Sequence, residues 1–129
     1  MANTIGRAIR NNVVDSGIVG QRVYRDLAPE DADMPFVVFY ENIARSRELV
    51  GDGNSTFAVK QTAQVSLFQL ASNENDSLVA DLVSSLDNAN LTGSDKRVLS
   101  CCVENVARLY HEEDETVNQA ITLNITHIA

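Results

Sequence analysis

The sequence predicts an α+β fold in which two helices pack on a mainly antiparallel sheet. Two stretches, one near the N-terminus and one after residue 72, carry apolar residues at helical spacing, whereas the other apolar runs are short or alternate with a period of two. Strands that follow one another along a chain usually pair as antiparallel neighbours. With 129 residues and 44% hydrophobic content, the chain is expected to form a single domain, residues 1–129.

The first helix is predicted over residues 2–14, where Ile5, Ile9 and Val13 recur at i, i+4 and i+8. The segment DSGIVG that follows provides a stop. Next, QRVYRD is predicted as the first strand and LAPEDADMP as a surface loop. Two prolines are incompatible with a central strand, since proline has no backbone N–H to donate.

The second strand is apolar on both faces. Phe36, Val38 and Tyr40 point to one side of this strand, and Val37 and Phe39 point to the other. A helix of the same chain can cover one face, but the other needs a second helix or a neighbouring subunit. We therefore take Phe36, Val38 and Tyr40 as a candidate inter-subunit surface, with burial inside the monomer as the alternative.

Residues 43–54 mix charged side chains with two glycines, which predicts a projecting hairpin or a flexible loop. Arg45 and Arg47 form a close pair that would lie on one side of an extended segment. Three interpretations stay open for this pair: a phosphate site, a salt-bridging element of an interface, and solvated charge. A long, half-buried antiparallel strand is then expected over residues 56–70, where apolar and polar residues alternate.

The second helix is expected to begin after an N-cap at Ser72 or Asn73, with Glu74 and Asp76 near its positive end. Its buried stripe comprises Leu78, Val79, Leu82, Val83 and Leu86. Two closing strands, KRVLSCCVENVARLY and TVNQAITLNITHI, are joined by the acidic turn HEEDE. The inward face of the last strand is predicted to consist of Val117, Ile121, Leu123 and Ile125.

Charge and cysteine content limit the classes of function. With 18 acidic and 10 basic residues, a formal net charge of −8 and no run of Lys or Arg, the chain is not suited to wrapping a phosphate backbone. No apolar segment reaches the roughly 20 residues that span a bilayer, so no membrane association is expected. Cys101 and Cys102 are adjacent in a strand, where neighbouring side chains diverge, so we expect two small buried thiols that do not pair with each other.

Catalytic and metal-binding patterns are weak. His111 stands beside Glu112, Glu113 and Asp114, but consecutive residues on a tight turn rarely converge on one ion, and a solvated turn is the expected structure. Residues 51–54 begin like a calcium loop, yet Phe57 stands where that loop needs glycine. We therefore expect no enzymatic activity, no metal and no cofactor.

The order of elements nevertheless resembles one family. The helix ending near DSGIVG, the strand containing RVY, the strand MPFVVFYEN, the long strand ending VSLFQL, the second helix and the hairpin ARLYHEEDETVNQAITLNIT look like the tail terminator, or tail completion, proteins of long-tailed bacteriophages. The resemblance covers nearly the whole chain.

The resemblance implies a structural virion protein at the tail–neck junction, assembled in the host cytoplasm. It implies a ring, usually a homohexamer, that caps the tail tube, stops its polymerisation and presents a surface to the head-completion or connector protein. DNA would pass through the lumen without specific binding. Arg45, Arg47, Glu48 and Asp52 are then the candidate contact with the tube or the adjacent subunit.

Three alternatives belong to other classes. Another phage neck or head-closure protein would share the ring symmetry. A small cytosolic hydrolase or metal enzyme would need His111 or His127 to approach carboxylates in space. A plain binding module would form a dimer instead of a ring.

Overall fold

A computed structural model describes residues 5–29, 32–49, 57–88 and 98–128. The elements are the helices α1 (Ile5–Ser16) and α2 (Asp76–Leu86) and the strands β1 (Val23–Arg25), β2 (Phe36–Leu49), β3 (Phe57–Leu70), β4 (Val98–His111) and β5 (Thr116–Ile128). The strands form one five-stranded sheet in the order β1-β2-β3-β5-β4. The predicted α+β class, with two helices and a mainly antiparallel sheet, is confirmed.

Antiparallel pairing joins β2 to β3, β3 to β5 and β5 to β4, while β1 runs parallel to β2. The parallel pair is short, and Val23 lies opposite Val37. In the helical layer, α1 contacts β1 and β2, whereas α2 contacts β4 and β5. The two helices therefore lie on the same face of the sheet, α1 over one half of it and α2 over the other.

The first helix begins within the predicted segment and ends two residues later than predicted, at Ser16. Its predicted stripe is confirmed at Ile9 and Val13, both fully buried. Gly17 follows with a φ of 74°, a left-handed conformation that glycine adopts without steric cost, and its N–H donates to the Val14 carbonyl at 3.1 Å. In the described part of the chain, neither helix is long and apolar enough to cross a bilayer.

The segment predicted as a projecting hairpin or flexible loop is part of a hairpin. The strand β2 continues to Leu49, which pairs with Phe57 of β3, and the register shifts once between Tyr40 and Ala44. The predicted alternative of a flexible loop is therefore wrong for residues 43–49. Residues 50–56, which include Asp52, lie outside the described residues.

The N-cap of α2 differs from the prediction. Ser72 and Asn73 belong to a single 3₁₀ turn, Ala71–Asn73, and the cap is Asn75. The Asn75 side chain accepts a hydrogen bond from the Ser77 N–H at 3.0 Å, which satisfies one of the donors left free at a helix start. The predicted buried stripe is confirmed, with Leu82 and Leu86 fully buried.

The core lies between the helices and one face of the sheet. Its strand residues include Val37 and Phe39 of β2, and the inward face predicted for β5 is confirmed, since its four apolar members are fully buried: Val117, Ile121, Leu123 and Ile125. Cys101 is also in this core, but Cys102 is exposed, so the prediction of two buried thiols is wrong for Cys102. Adjacent strand residues point to opposite faces, and only the Cys101 face is covered.

Candidate assembly surface

The strand β4 forms one edge of the sheet and exposes large apolar side chains. Every residue from 104 to 111 is exposed, and the exposed fractions of Val106, Leu109 and Tyr110 are 44%, 52% and 50%. An edge strand presents a row of backbone N–H and C=O groups to whatever lies beside it. Apolar side chains concentrated on such an edge are typical of a surface that packs against another protein.

These apolar side chains lie on both faces of β4. Val106 and Tyr110 lie opposite Ile121 and Val117, which belong to the face that the helices cover, whereas Leu109 lies opposite Asn118 on the other face. The end of α2 lies against the beginning of β4, where the Cys101 thiol lies 3.4 Å from the Leu86 carbonyl oxygen. The side chains in the second half of β4, residues 104–111, nevertheless stay exposed.

A polar network ties the second half of β4 to the start of α2. The Arg108 guanidinium donates to both carboxylate oxygens of Glu74, at 2.9 Å from Nε and 2.7 Å from Nη2. The Gln119 amide also donates to Glu74, at 3.4 Å, and accepts from the Gln69 amide at 3.0 Å. Gln69 in turn accepts from the Asn75 N–H at 2.9 Å.

The network sets both the charge and the orientation of the edge. The hydrogen bond from Arg108 lowers the pKa of Glu74, and the same bond raises the pKa of Arg108. The paired oxygens match the fork of the guanidinium, so Arg108 is held in one direction although half of its side chain is exposed. The side chains that flank Arg108 on this face, Val106 and Tyr110, are thereby presented on an anchored strand.

The acidic turn between β4 and β5 continues this edge. Tyr110, His111, Glu112, Glu113 and Asp114 line an open depression, and all five are exposed. In the part of the chain that the structure describes, no three His, Cys, Asp or Glu side chains come together as metal ligands.

The two histidines lie at opposite ends of the β4–β5 hairpin. His111 pairs with Thr116 beside the turn, and His127 pairs with Val98 at the far end. At about 3.3 Å per strand residue, the two imidazoles are separated by roughly 35 Å. A site that uses both histidines of one chain is therefore excluded by the hairpin.

The predicted inter-subunit strand residues lie on the sheet face opposite the helices. Phe36 and Val38 are only 9% and 3% exposed within the single chain, and Tyr40 is half-buried. The Phe36 ring stacks on Phe68 with centroids 5.1 Å apart and meets Tyr24 edge-on at 6.0 Å. Intramolecular aromatic packing thus covers much of this face, and a contact with a second subunit there stays a prediction.

The predicted tube-contact residues are separated from β4 in the sheet. By backbone register, Arg45, Arg47 and Glu48 of β2 lie opposite Gln61, Val59 and Ala58 of β3. Asp52 lies outside the described residues. The three described positions therefore belong to the far part of the β2–β3 hairpin, and their role in an interface stays a prediction.

Sequence reasoning missed the β4 edge, although a local pattern pointed to it. In the segment VENVARLY, apolar side chains lie on both faces of the strand, with Val106 and Tyr110 on one face and Ala107 and Leu109 on the other. This is the same two-sided pattern that made Phe36–Tyr40 a candidate surface. A local sequence pattern does not contain the order of the strands in the sheet. Only the order shows that β2 is interior to the sheet whereas β4 is an edge.

Comparison with known proteins gives a fold-level match. No protein-family model matches the sequence, and no curated protein does. Among solved structures, the fold is similar to that of a chain in a structure described as the virion of a native gene transfer agent particle, with a TM-score of 0.71. The match covers 98% of this chain and 92% of that chain at 14% sequence identity, so what the two chains share is the fold.

Proposed function

We propose that this protein is a structural virion protein, a tail terminator that forms a ring on the end of the tail tube. The observation that carries the proposal is the shared fold, which extends over nearly all of this chain and of a chain from a phage-like virion particle. The sequence resemblance to tail terminators, which covers the same elements in the same order, favours this role among virion proteins. The ring, a homohexamer, sits at the tail–neck junction after assembly in the host cytoplasm.

The mechanism is geometric. One face of the ring matches the docking surface of the tube protein and the opposite face does not, so tube polymerisation ends after one layer. The opposite face receives the head-completion or connector protein. A ring needs two different surfaces on each subunit, because one surface of each subunit binds the other surface of the next. Such head-to-tail contacts form a closed ring when the rotation that relates neighbouring subunits closes on itself. The exposed β4 edge supplies one candidate surface.

The β2–β3 hairpin is the proposed contact with the tube or the adjacent subunit. Its strands stay paired as far as Leu49 and Phe57, and β3 is also paired with β5 as far as Ala58. Arg45, Arg47, Glu48 and Asp52 belong to this segment and offer charges of both signs. Phe36, Val38 and Tyr40, on the sheet face opposite the helices, are proposed to contribute to the contact between subunits.

The proposed path of DNA is consistent with the charge of the chain. A protein of net charge −8 repels a phosphate backbone, so DNA passes through the lumen without specific binding.

The test is tube termination. Purified protein is added to polymerising tail tube protein from the particle that carries it, and tube lengths and end structures are measured by electron microscopy. We expect shorter tubes that end in one added ring, and light scattering is expected to give the mass of a closed ring. Tubes of unchanged length without end rings would overturn the proposal, and binding to the portal side instead would indicate a head-closure protein.

The role of the hairpin is tested separately. Arg45→Ala with Arg47→Ala is expected to weaken ring formation or tube capping, whereas a matched exposed pair on α2, Asp81→Ala with Ser84→Ala, is expected to leave both intact. If the arginine variant forms rings and caps tubes like the wild type, the hairpin is not the contact.

A further inference from the structure

The elements on the two sides of the fold differ in charge. On one edge, residues 5–25, which form α1, β1 and their connection, carry four arginines and one aspartate: Arg7, Arg10, Arg22, Arg25 and Asp15. We call this the basic edge. On the other side, residues 71–88 and 98–128, which form α2, β4 and β5, carry nine carboxylates and one arginine, Arg108. We call β4 with its turn 112–115 and the start of α2 the acidic edge.

Arg7 and Arg10 lie on the side of α1 that faces away from α2. The Ser85 hydroxyl donates to the Asn12 side chain at 2.8 Å, so Asn12 marks the side of α1 that faces α2. At about 100° per residue, Arg7 and Arg10 lie roughly 140° and 160° around the helix from Asn12. Since α1 lies over β1 and β2, that direction is the outer side of the sheet, beyond β1.

The charged groups also lie at the same end of the sheet. The start of β1 lies beside the start of β2, because Val23 pairs with Val37. The start of β2 lies beside the end of β3, and Leu70 at that end pairs with Thr116, directly after the acidic turn. Arg22, whose Nε donates to the Pro35 carbonyl at 2.8 Å, is therefore level with Leu109 on the opposite edge, just before the acidic turn.

We propose that the acidic edge of one copy docks on the basic edge of the next, so that the ring closes through a head-to-tail contact between these two surfaces. The inference rests on the proposed ring and assigns the surfaces that make it. Val106, Leu109 and Tyr110 supply the apolar centre of the acidic side, and the carboxylates around them select the arginine-bearing partner. Contact between two acidic edges would set like charges against each other, which disfavours a symmetric dimer through β4.

The connection from β1 to β2 limits where the contact lies. Residues 26–35 add four carboxylates next to the arginines. The basic surface is therefore α1 with the beginning of β1, on the helical side of the sheet, which is also the side on which Val106 and Tyr110 lie. Lys96 and Arg97, which precede β4 in the sequence, lie outside the described residues.

A charge exchange between two variants tests the contact. The first variant is Glu112→Lys with Glu113→Lys on the acidic edge, and the second is Arg7→Glu with Arg10→Glu on α1 at the basic edge. Each variant alone would bring like charges together at every contact and is expected to lose the ring. An equimolar mixture restores opposite charges at both kinds of contact, so alternating rings with equal numbers of the two variants are expected by native mass spectrometry.

The control and the folding check use exposed positions. Ala80→Glu with Ser84→Glu adds two carboxylates to α2 away from both edges and is expected to assemble like the wild type. Each variant must retain the circular dichroism spectrum and the melting temperature of a folded protein. If the pair of substitutions loses the fold, Arg7→Glu alone replaces it, since Arg7 is exposed on α1.

The outcomes separate this inference from the proposed function. Single variants that still form rings, or a mixture that stays unassembled, would overturn the head-to-tail contact while leaving the terminator role intact. A wild-type chain that stays monomeric even with tail tube protein would overturn both. Wild-type rings are also expected to weaken as salt is raised, because ions screen exposed charges beyond about 10 Å at 0.1 M.

Discussion

Arg108 on the edge strand β4 donates hydrogen bonds to both carboxylate oxygens of Glu74, which lies two residues before α2. The pair joins an exposed strand to the start of a helix across the sheet edge. It also extends inward through Gln119 to Gln69, so a side chain on the surface is connected to buried amides. This connection fixes the second half of β4 to the start of α2.

The Arg108–Glu74 pair makes stability depend on pH in the acidic range. Because the hydrogen bond from Arg108 lowers the pKa of Glu74 below its ordinary value near 4.5, the folded state favours the carboxylate more than the unfolded state does. The stabilisation is complete above that ordinary value and is lost as pH falls through the lowered pKa. We expect Glu74→Gln to destabilise the protein at pH 7 and to lose this effect progressively as pH falls below 4.5 and through the lowered pKa, as measured by urea denaturation across acidic pH.

The control for this pH dependence is Asp81→Asn, an exposed carboxylate on α2. Its cost is expected to be small throughout this range. A Glu74→Gln variant whose destabilisation does not change as pH falls would show that the pair contributes through its shape and not through charge.

The N-cap of α2 gives a second prediction. Asn75→Ala removes the acceptor for the Ser77 N–H and is expected to cost about 1 kcal/mol of unfolding free energy, whereas Asn75→Asp retains an acceptor and is expected to cost little. Ser72→Ala is the matched control, since Ser72 is exposed in the 3₁₀ turn. A larger loss at Ser72 than at Asn75, measured by chemical denaturation, would return the cap to one of the two positions that the sequence predicted.

The cap shows where local sequence stops being sufficient. Polar residues at Ser72, Asn73 and Asn75 all suit a helix start, and propensity does not rank them. The structure selects Asn75 because β3 runs to Leu70 and the chain then makes a 3₁₀ turn, whose Ala71 N–H donates to the Glu115 carbonyl at 2.8 Å. That bond reaches a residue far along the sequence, so no local pattern contains it.

Elements with a strong period were predicted well, and relations between elements were not. The alternation that places Val117 and Ile121 inward and the helical spacing of Leu82 and Leu86 are local, and the structure agrees with both. The exposure of β4 depends on β5 lying between β3 and β4, and the parallel pairing of β1 depends on the path of the chain between residues 26 and 35. Such long-range facts decide which two-sided apolar strand is interior and which is exposed.

Core packing gives a third prediction. Leu82 is fully buried in the cluster beneath α2, so Leu82→Ala removes buried methyl groups and leaves a cavity, which is expected to cost about 2–5 kcal/mol. Leu27, which is 81% exposed, is the matched control, and Leu27→Ala is expected to change stability by no more than about 0.5 kcal/mol. Equal losses in thermal or urea unfolding would contradict the burial of α2 on the sheet.

The two adjacent cysteines should differ in reactivity. Burial raises the pKa of the Cys101 thiol to about 12, so at pH 8 it stays protonated as well as enclosed, whereas Cys102 is exposed. The thiolate is the reactive form, and we expect native protein at pH 8 to take up one equivalent of a thiol reagent, at Cys102. Denatured protein should take up two.

Single substitutions assign the reactive thiol. Cys102→Ser is expected to abolish labelling of the native protein, and Cys101→Ser is expected to leave it at one equivalent, with mass spectrometry of peptides identifying the site. Rapid labelling of Cys101 in folded protein would mean that the end of α2 opens away from β4, because the Cys101 thiol lies against the Leu86 carbonyl oxygen. In that case the core beneath the C-terminal end of α2 would be accessible to solvent at pH 8.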